Sequence, residues 1–282
     1  MVAIVTGTGL GLERGSGFVL GSGGRLGLSA FGTYGENVTV NAATGNLIIN
    51  RTDEILIGQG PDSALGRSYN SLGAMNDDNG DNWRINAQRK VAGLTGTLNT
   101  VGSTITRTDW DGSDMVYTWD ATLSAYISKE GAGAYDKLTY ASGTGLWTWT
   151  DGDSQVRETY ADGSGGRITA TLNTDGDNLA YSYYAGGNKL YRVTSTVSGE
   201  YTQFNWNTTY TNNLDELVTG ISGGATLTRV RYGYDTQNRL ITVTTDLSPN
   251  DNSVSDNNKV ITTYTYTAVS YTHLTLPTKR IV

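Results

Sequence analysis

With no cysteine anywhere, the 282-residue chain cannot staple itself with disulfides. Its stability must come from strand packing or from a larger assembly. Helix-forming residues are sparse, and no segment keeps a 3.6-residue apolar period over several turns, which excludes a helical fold. No apolar run approaches the length of a membrane-spanning helix. A formal net charge of −7 gives no electrostatic footprint for nucleic acid. The first seven residues carry no basic region and only a short apolar stretch, so export to the cell surface or medium would need a specialised route. The single histidine, His273, lies near the end of the chain, and there is no thiol. The usual base and nucleophile pairs of an enzyme are therefore missing, and a non-enzymatic role is expected.

What remains is a β-forming composition: 37 Gly, 18 Tyr and 6 Trp beside abundant Thr and Asn. Tyr, Trp, Thr and Val favour half-buried pleated strands, while Gly, Asn and Asp punctuate turns. An all-β chain of stacked antiparallel hairpins follows. Residues 1–35 are rich in glycine without regular periodicity and read as a leader. Ile4-Val5-Thr6-Gly7-Thr8-Gly9 has the order of a dinucleotide loop, but the residues after it will not start a helix, so no cofactor is expected there. From residue 36 alternation begins, with a hairpin turning at Gly45 and a second strand pair over 54–57 and 65–71. Beyond residue 100, strands are expected over 104–107, 116–119, 138–140, 147–149, 168–172, 180–184, 191–194 and 202–206. Aromatic-bearing strands recur near Tyr160, Tyr183, Phe204 and Tyr234, at steps of 23, 21 and 30 residues. Units of this length cannot bury a face alone and must stack on neighbours.

The clearest unit runs from Arg231 through Tyr232, Gly233, Tyr234, Asp235, Thr236, Gln237, Asn238 and Arg239 to Leu240. Tyr232 and Tyr234 share one strand face. Asp235 suits the first corner of a type I turn, where its carboxylate accepts amides two residues on. Asn238 tolerates the positive φ the turn requires. Tyr234-Asp235, two variable residues, then Asn238-Arg239-Leu240 resembles the YD repeat of RHS (rearrangement hotspot) proteins, with Asn238 in place of the usual glycine. Tyr160, Asp162, Gly166, Arg167 and Ile168 look like a copy with an insertion, and Tyr183, Asn188, Lys189 and Leu190 like a looser one. The stretch Val40-Asn41-Ala42-Ala43-Thr44-Gly45-Asn46-Leu47, followed by Arg51-Thr52-Asp53 and Arg67-Ser68-Tyr69-Asn70-Ser71, resembles the block that precedes such repeats.

The resemblance covers residues 36–268 and divides them into a leading β-rich block, 36–150, and repeats, 151–268. It implies part of a curved or spiralling shell in a large secreted or surface-displayed bacterial toxin, enclosing or presenting a C-terminal effector domain. Residues 269–282 resemble instead the translation of a sequencing adapter, and the expectation is that the natural protein continues differently past residue 268.

Three constellations carry alternatives. Asp77, Asp78 and Asp81 offer several oxygens in one turn, as a Ca²⁺ loop would, although Asp-Gly and Asn-Gly are also ordinary turn dipeptides. Trp147 with Trp149, and Tyr117 with Trp119, form aromatic stripes that either cement strands or stack on sugars, the latter making the chain a carbohydrate-binding adhesin. Asn37, Asn50 and Asn207 begin glycosylation-type triplets, which chance explains in so Asn- and Thr-rich a chain.

Overall fold

The computed structural model describes residues 3–5, 37–41, 47–57, 61–71, 79–110, 112, 114–128, 135–162, 166–187, 189–266 and 274–281. The fold is all-β, with twenty-one strands in two sheets among the described residues. Every adjacent pair is antiparallel except the first.

The first sheet holds β1 (Ala3–Val5), β2 (Asn37–Asn41), β3 (Leu47–Leu56), β4 (Ser63–Asn70) and β5 (Trp83–Ile85), paired in that order. β1 lies parallel to β2, so this part of the glycine-rich leader is strand; the rest of the leader and the turn at Gly45 lie outside the described residues. The two segments expected at 47–49 and 54–57 are one strand. A register shift between Thr52 and Glu54 carries β3 across the polar stretch that made them look separate. A bulge absorbs one residue without ending the ladder.

The second sheet begins with a closed ring. β6 (Lys90–Thr95), β7 (Thr104–Thr108), β8 (Asp114–Asp120), β9 (Ala125–Ile127), β10 (Lys137–Ala141), β11 (Leu146–Thr150), β12 (Arg157–Ala161) and β13 (Arg167–Leu172) pair in sequence, and β13 returns to β6. Alternation fills the ring: Ile105, Tyr117, Tyr126, Leu138, Trp147, Trp149, Tyr160 and Ile168 all point inward and are buried. The seam is narrow. It consists of the Arg167–Lys90 pair, the Val91 amide donating to the Gly166 carbonyl (2.8 Å) and the Ile168 amide to the Arg89 carbonyl (3.1 Å). Gly166 sits at φ +67°, and a β-carbon there would lie 1.6 Å from the Val91 carbonyl oxygen, so only glycine fits. The boundary placed at residue 150 from sequence thus falls between two neighbouring ring strands, β11 and β12.

β13 also starts a wall. It pairs with β14 (Asn178–Tyr183), which is followed by β15 (Leu190–Ser195), β16 (Glu200–Trp206), β17 (Leu214–Ile221), β18 (Thr226–Tyr234), β19 (Leu240–Asp246), β20 (Lys259–Tyr266) and β21 (Leu274–Ile281), each bonded to the next. The strand formed by residues 274–281 continues the wall at the free edge of β20. One face of the wall packs on the first sheet: Leu190, Val193, Phe204, Leu217, Val230, Tyr232, Val243 and Tyr264 share a core with Val38, Ile49, Leu65, Tyr69 and Trp83.

Candidate functional site

The unit around Asp235 folds as its residues dictate. The Asp235 carboxylate accepts the amides of Gln237 (2.8 Å) and Arg239 (3.0 Å) and pairs with the Arg239 guanidinium at 2.7 Å. Asn238 adopts φ +60°, and its amide donates to the Asp235 carbonyl at 3.0 Å. Burial works to raise the Asp235 carboxyl pKa, but the Arg239 amide and guanidinium outweigh it and hold the group below its ordinary value. Tyr232 is buried in the core, and Tyr234 packs against the same core.

The unit gains its meaning from its neighbours. At four hairpins an aromatic residue at or next to the end of one strand faces an aliphatic residue at or next to the start of the following one: Tyr160 with Ile168, Tyr183 with Leu190, Trp206 with Leu214, and Tyr234 with Leu240. Each hairpin has the same register shift just before the aromatic, with one extra residue on the following strand. Such a bulge re-aims a side chain without ending the ladder. At Tyr183, Trp206 and Tyr234 the aromatic reaches the preceding unit, as does Tyr266 at the end of β20, whereas the Tyr160 hydroxyl bonds Glu158 inside the ring. The Tyr183 hydroxyl donates to the Ile168 carbonyl (2.7 Å), the Trp206 indole to Leu190 (2.9 Å), the Tyr234 hydroxyl to Leu214 (3.0 Å) and the Tyr266 hydroxyl to Leu240 (2.7 Å). The residue before the aliphatic reaches forward. Arg167 lies over Tyr183 at 4.6 Å, Lys189 over Trp206 at 5.7 Å and Arg239 over Tyr266 at 4.7 Å. Three of these four junctions are therefore tied twice, by a backward hydrogen bond and a forward cation–π contact; at the fourth, Asn213 stands in the cation's place.

The third copy, Trp206-Asn207 with Asn213-Leu214, is not the one expected from sequence, which placed the recurring aromatic at Phe204. Phe204 is core, fully buried two residues earlier. Trp206 escapes notice because it replaces tyrosine, because Asn207 replaces aspartate, and because Asn213 replaces the cation. Asn207 nonetheless does the aspartate's work, accepting the amides of Thr209 (2.8 Å) and Tyr210 (2.7 Å). The signal was the aliphatic series Ile168, Leu190, Leu214 and Leu240, spaced by 22, 24 and 26 residues.

Inside the ring lies an ionic cluster. Glu158 takes hydrogen bonds from Arg107 (2.8 Å), Arg89 and the Tyr160 hydroxyl, and Arg107 also binds Asp109 at 3.0 Å and stacks on Trp149 at 3.9 Å. Burial works to raise the Glu158 pKa, but the two guanidinium groups prevail and hold it below the ordinary glutamate value. A carboxylate held ionised this way is a poor proton carrier. Its neighbours decide its role: from β12 it balances two buried cations, Arg107 of β7 and Arg89 just before β6. Trp147 and Trp149 are 3% and 2% exposed, and the Trp149 indole donates to the Tyr117 hydroxyl at 3.0 Å. Both rings cement the ring interior and present no face to a sugar in solvent.

The first sheet meets the wall through several polar contacts, two of them networks. In one, Arg67 binds Asp53 with both arms of its guanidinium, the Tyr232 hydroxyl donates to the same carboxylate at 2.9 Å, and Arg67 lies 4.9 Å over Trp83. In the other, the turn before β5 reaches the tips of two repeats. The Asn79 side-chain amide donates to the Asn238 carbonyl (2.8 Å) and the Asn213 side chain (3.1 Å). The Asp81 carboxylate accepts the amides of Trp83 (3.0 Å) and Leu240 (2.9 Å). Burial pushes the Asp81 pKa up to about 6, against the pull of those amides. Asp81, one of the three acids weighed as a calcium loop against an ordinary turn, has its oxygens on backbone amides; Asp77 and Asp78 lie outside the described residues. Among the described residues no group of three or more acidic, histidine or cysteine side chains is placed to hold a metal.

No protein-family model matches the sequence. Over 150 residues the chain is 27% identical to the tRNA nuclease WapA of Bacillus subtilis (strain 168), and 28% identical to the tRNA3(Ser)-specific nuclease WapA of Bacillus spizizenii. A tRNA(Glu)-specific nuclease WapA of Bacillus subtilis subsp. natto is likewise 27% identical. Each match takes in 51% of this chain and 6% of the relative's length, so the chain spans a small part of the proteins it resembles.

Proposed function

We propose that the chain is a non-enzymatic structural segment of a large bacterial RHS/YD-repeat protein of the toxin or cell-surface kind. It forms part of a β-wall that encloses or presents a C-terminal effector. The observation that carries this reading is the junction repeated along the wall: an aromatic bonded backward at four junctions and, at three of them, a cation stacked forward. A device that couples each unit to its neighbours builds length and rigidity. The ionic cluster, sealed within the ring, offers no open site for a substrate. Similarity to a small fraction of three much longer nucleases fits a scaffold role, with the chemistry of such proteins carried elsewhere.

Two measurements test it. The purified chain should leave tRNA intact under conditions where a control nuclease cleaves it; cleavage abolished by a substitution within the chain would overturn the non-enzymatic reading. In the full-length gene, removal of residues 178–246 should expose the downstream domain to protease, and unchanged protection would refute the enclosing wall.

A further inference from the structure

We infer that Asn213 is an address residue: by lacking the cation of its sister repeats, it opens the slot that receives the Asn79–Asp81 turn and so fixes where the first sheet docks on the wall. The inference rests on the repeat reading above and adds to it the position of an interface.

At the other three junctions, the residue before the aliphatic lies over the next aromatic ring. Asn213 is too short to do this for Tyr234. It is 3% exposed, and its side chain serves another partner, accepting from Asn79 at 3.1 Å while its own amide group donates to Asn238 at 3.4 Å. The same Asn79 nitrogen donates to the Asn238 carbonyl, so one side chain reads two successive repeat turns. Two residues on, Asp81 takes the Leu240 amide. A cavity of about 20 Å³ adjoins the contact, lined in part by Asn79, Asp81, Tyr234 and Arg84. Arg84 belongs to the first sheet and is 3% exposed, so a buried cation from that sheet lines the same space as Tyr234.

An arginine or lysine at 213 would extend into this space, place a second cation near Arg84 and displace Asn79. Like charges brought together in a buried site oppose docking. A uniform array of cation-bearing repeats would offer the sheet many equivalent positions or none. One neutral amide makes one position distinct. This is specificity set by excluding the alternatives.

The test is amide hydrogen exchange on the full chain. In Asn213→Arg, protection of the Trp83 and Leu240 amides should fall at least tenfold while the Ile105 and Tyr117 amides of the ring keep theirs. Asn79→Ala, which leaves every repeat intact, should loosen the same two amides, and the double variant should lose little more than Asn213→Arg alone. Unchanged protection at Leu240 in either single variant overturns the inference, as does a uniform loss through ring and wall in Asn79→Ala. Tyr266→Phe separates the two readings. If it leaves β19 protection unaltered, the repeat ladder itself fails, whatever Asn213 does.

Discussion

The Tyr266 hydroxyl donates to the Leu240 carbonyl at 2.7 Å, across 26 residues of chain. The same hydroxyl accepts the Trp83 indole at 3.0 Å, so one phenol joins two repeats of the wall to the first sheet. Tyr234 makes the corresponding backward bond to Leu214.

The two tyrosines should therefore differ in what their hydroxyls contribute. Each buried polar group left unsatisfied costs about 1–3 kcal/mol. Tyr234→Phe strands the Leu214 carbonyl, whereas Tyr266→Phe strands the Leu240 carbonyl and the Trp83 indole together. Urea unfolding should show the second variant less stable than the first by about 1–2 kcal/mol. Equal losses would mean that the indole bond adds nothing.

Glu158 should be the most costly single residue in the ring to neutralise. Glu158→Gln leaves Arg89 and Arg107 buried beside too little negative charge, and breaking a buried ion pair costs about 3–5 kcal/mol. Its folded pKa is depressed, so its contribution is present above the ordinary glutamate value of 4.5 and is lost as pH falls below that value. Thermal melts from pH 7 to pH 3 should show wild type losing stability below pH 4.5 more steeply than the variant.

Asp81 should behave in the opposite sense. Its folded pKa is raised to about 6, so the stability it confers is greatest below its ordinary value of 3.8 and is lost as pH rises through 6. Asp81→Asn should consequently cost more at pH 4 than at pH 7. A penalty independent of pH, measured by denaturant titration at both values, would contradict the buried carboxylate.

Gly166→Ala should open the seam. Positive φ at a non-glycine residue costs about 1–3 kcal/mol, before any contribution from the clash with Val91. Exchange of the Val91 and Ile168 amides should accelerate more than that of Thr202 in the wall. Retention of seam protection would show that the ring closes by other means.

The hairpins were legible in the sequence because alternation and turn chemistry are local. Asp235, Asn238 and Arg239 announce their turn within five residues, and the structure builds it with the bonds those side chains favour. The strands around Trp147 and Tyr117 were legible for the same reason. Closure of the ring was not, because the partners at the seam lie 77 residues apart and the deciding residue, Gly166, looks like any other turn glycine. The Trp206 unit was hidden by three substitutions that keep the geometry while changing the letters. The Asp81 turn was open to two readings because an acidic turn has the same composition whether its oxygens face a cation or backbone amides. Only the long-range contact to Leu240 distinguishes the two.

The bulge found at every second hairpin from β12 to β19 always falls at the same step, directly before the aromatic. A bulge adds a fixed local increment of twist and bend to its strand. Increments of one hand, spaced one per repeat, accumulate in proportion to the repeat count. On the repeat reading proposed above, a gene that gained or lost whole repeats would change the bend of the wall in steps of one such increment.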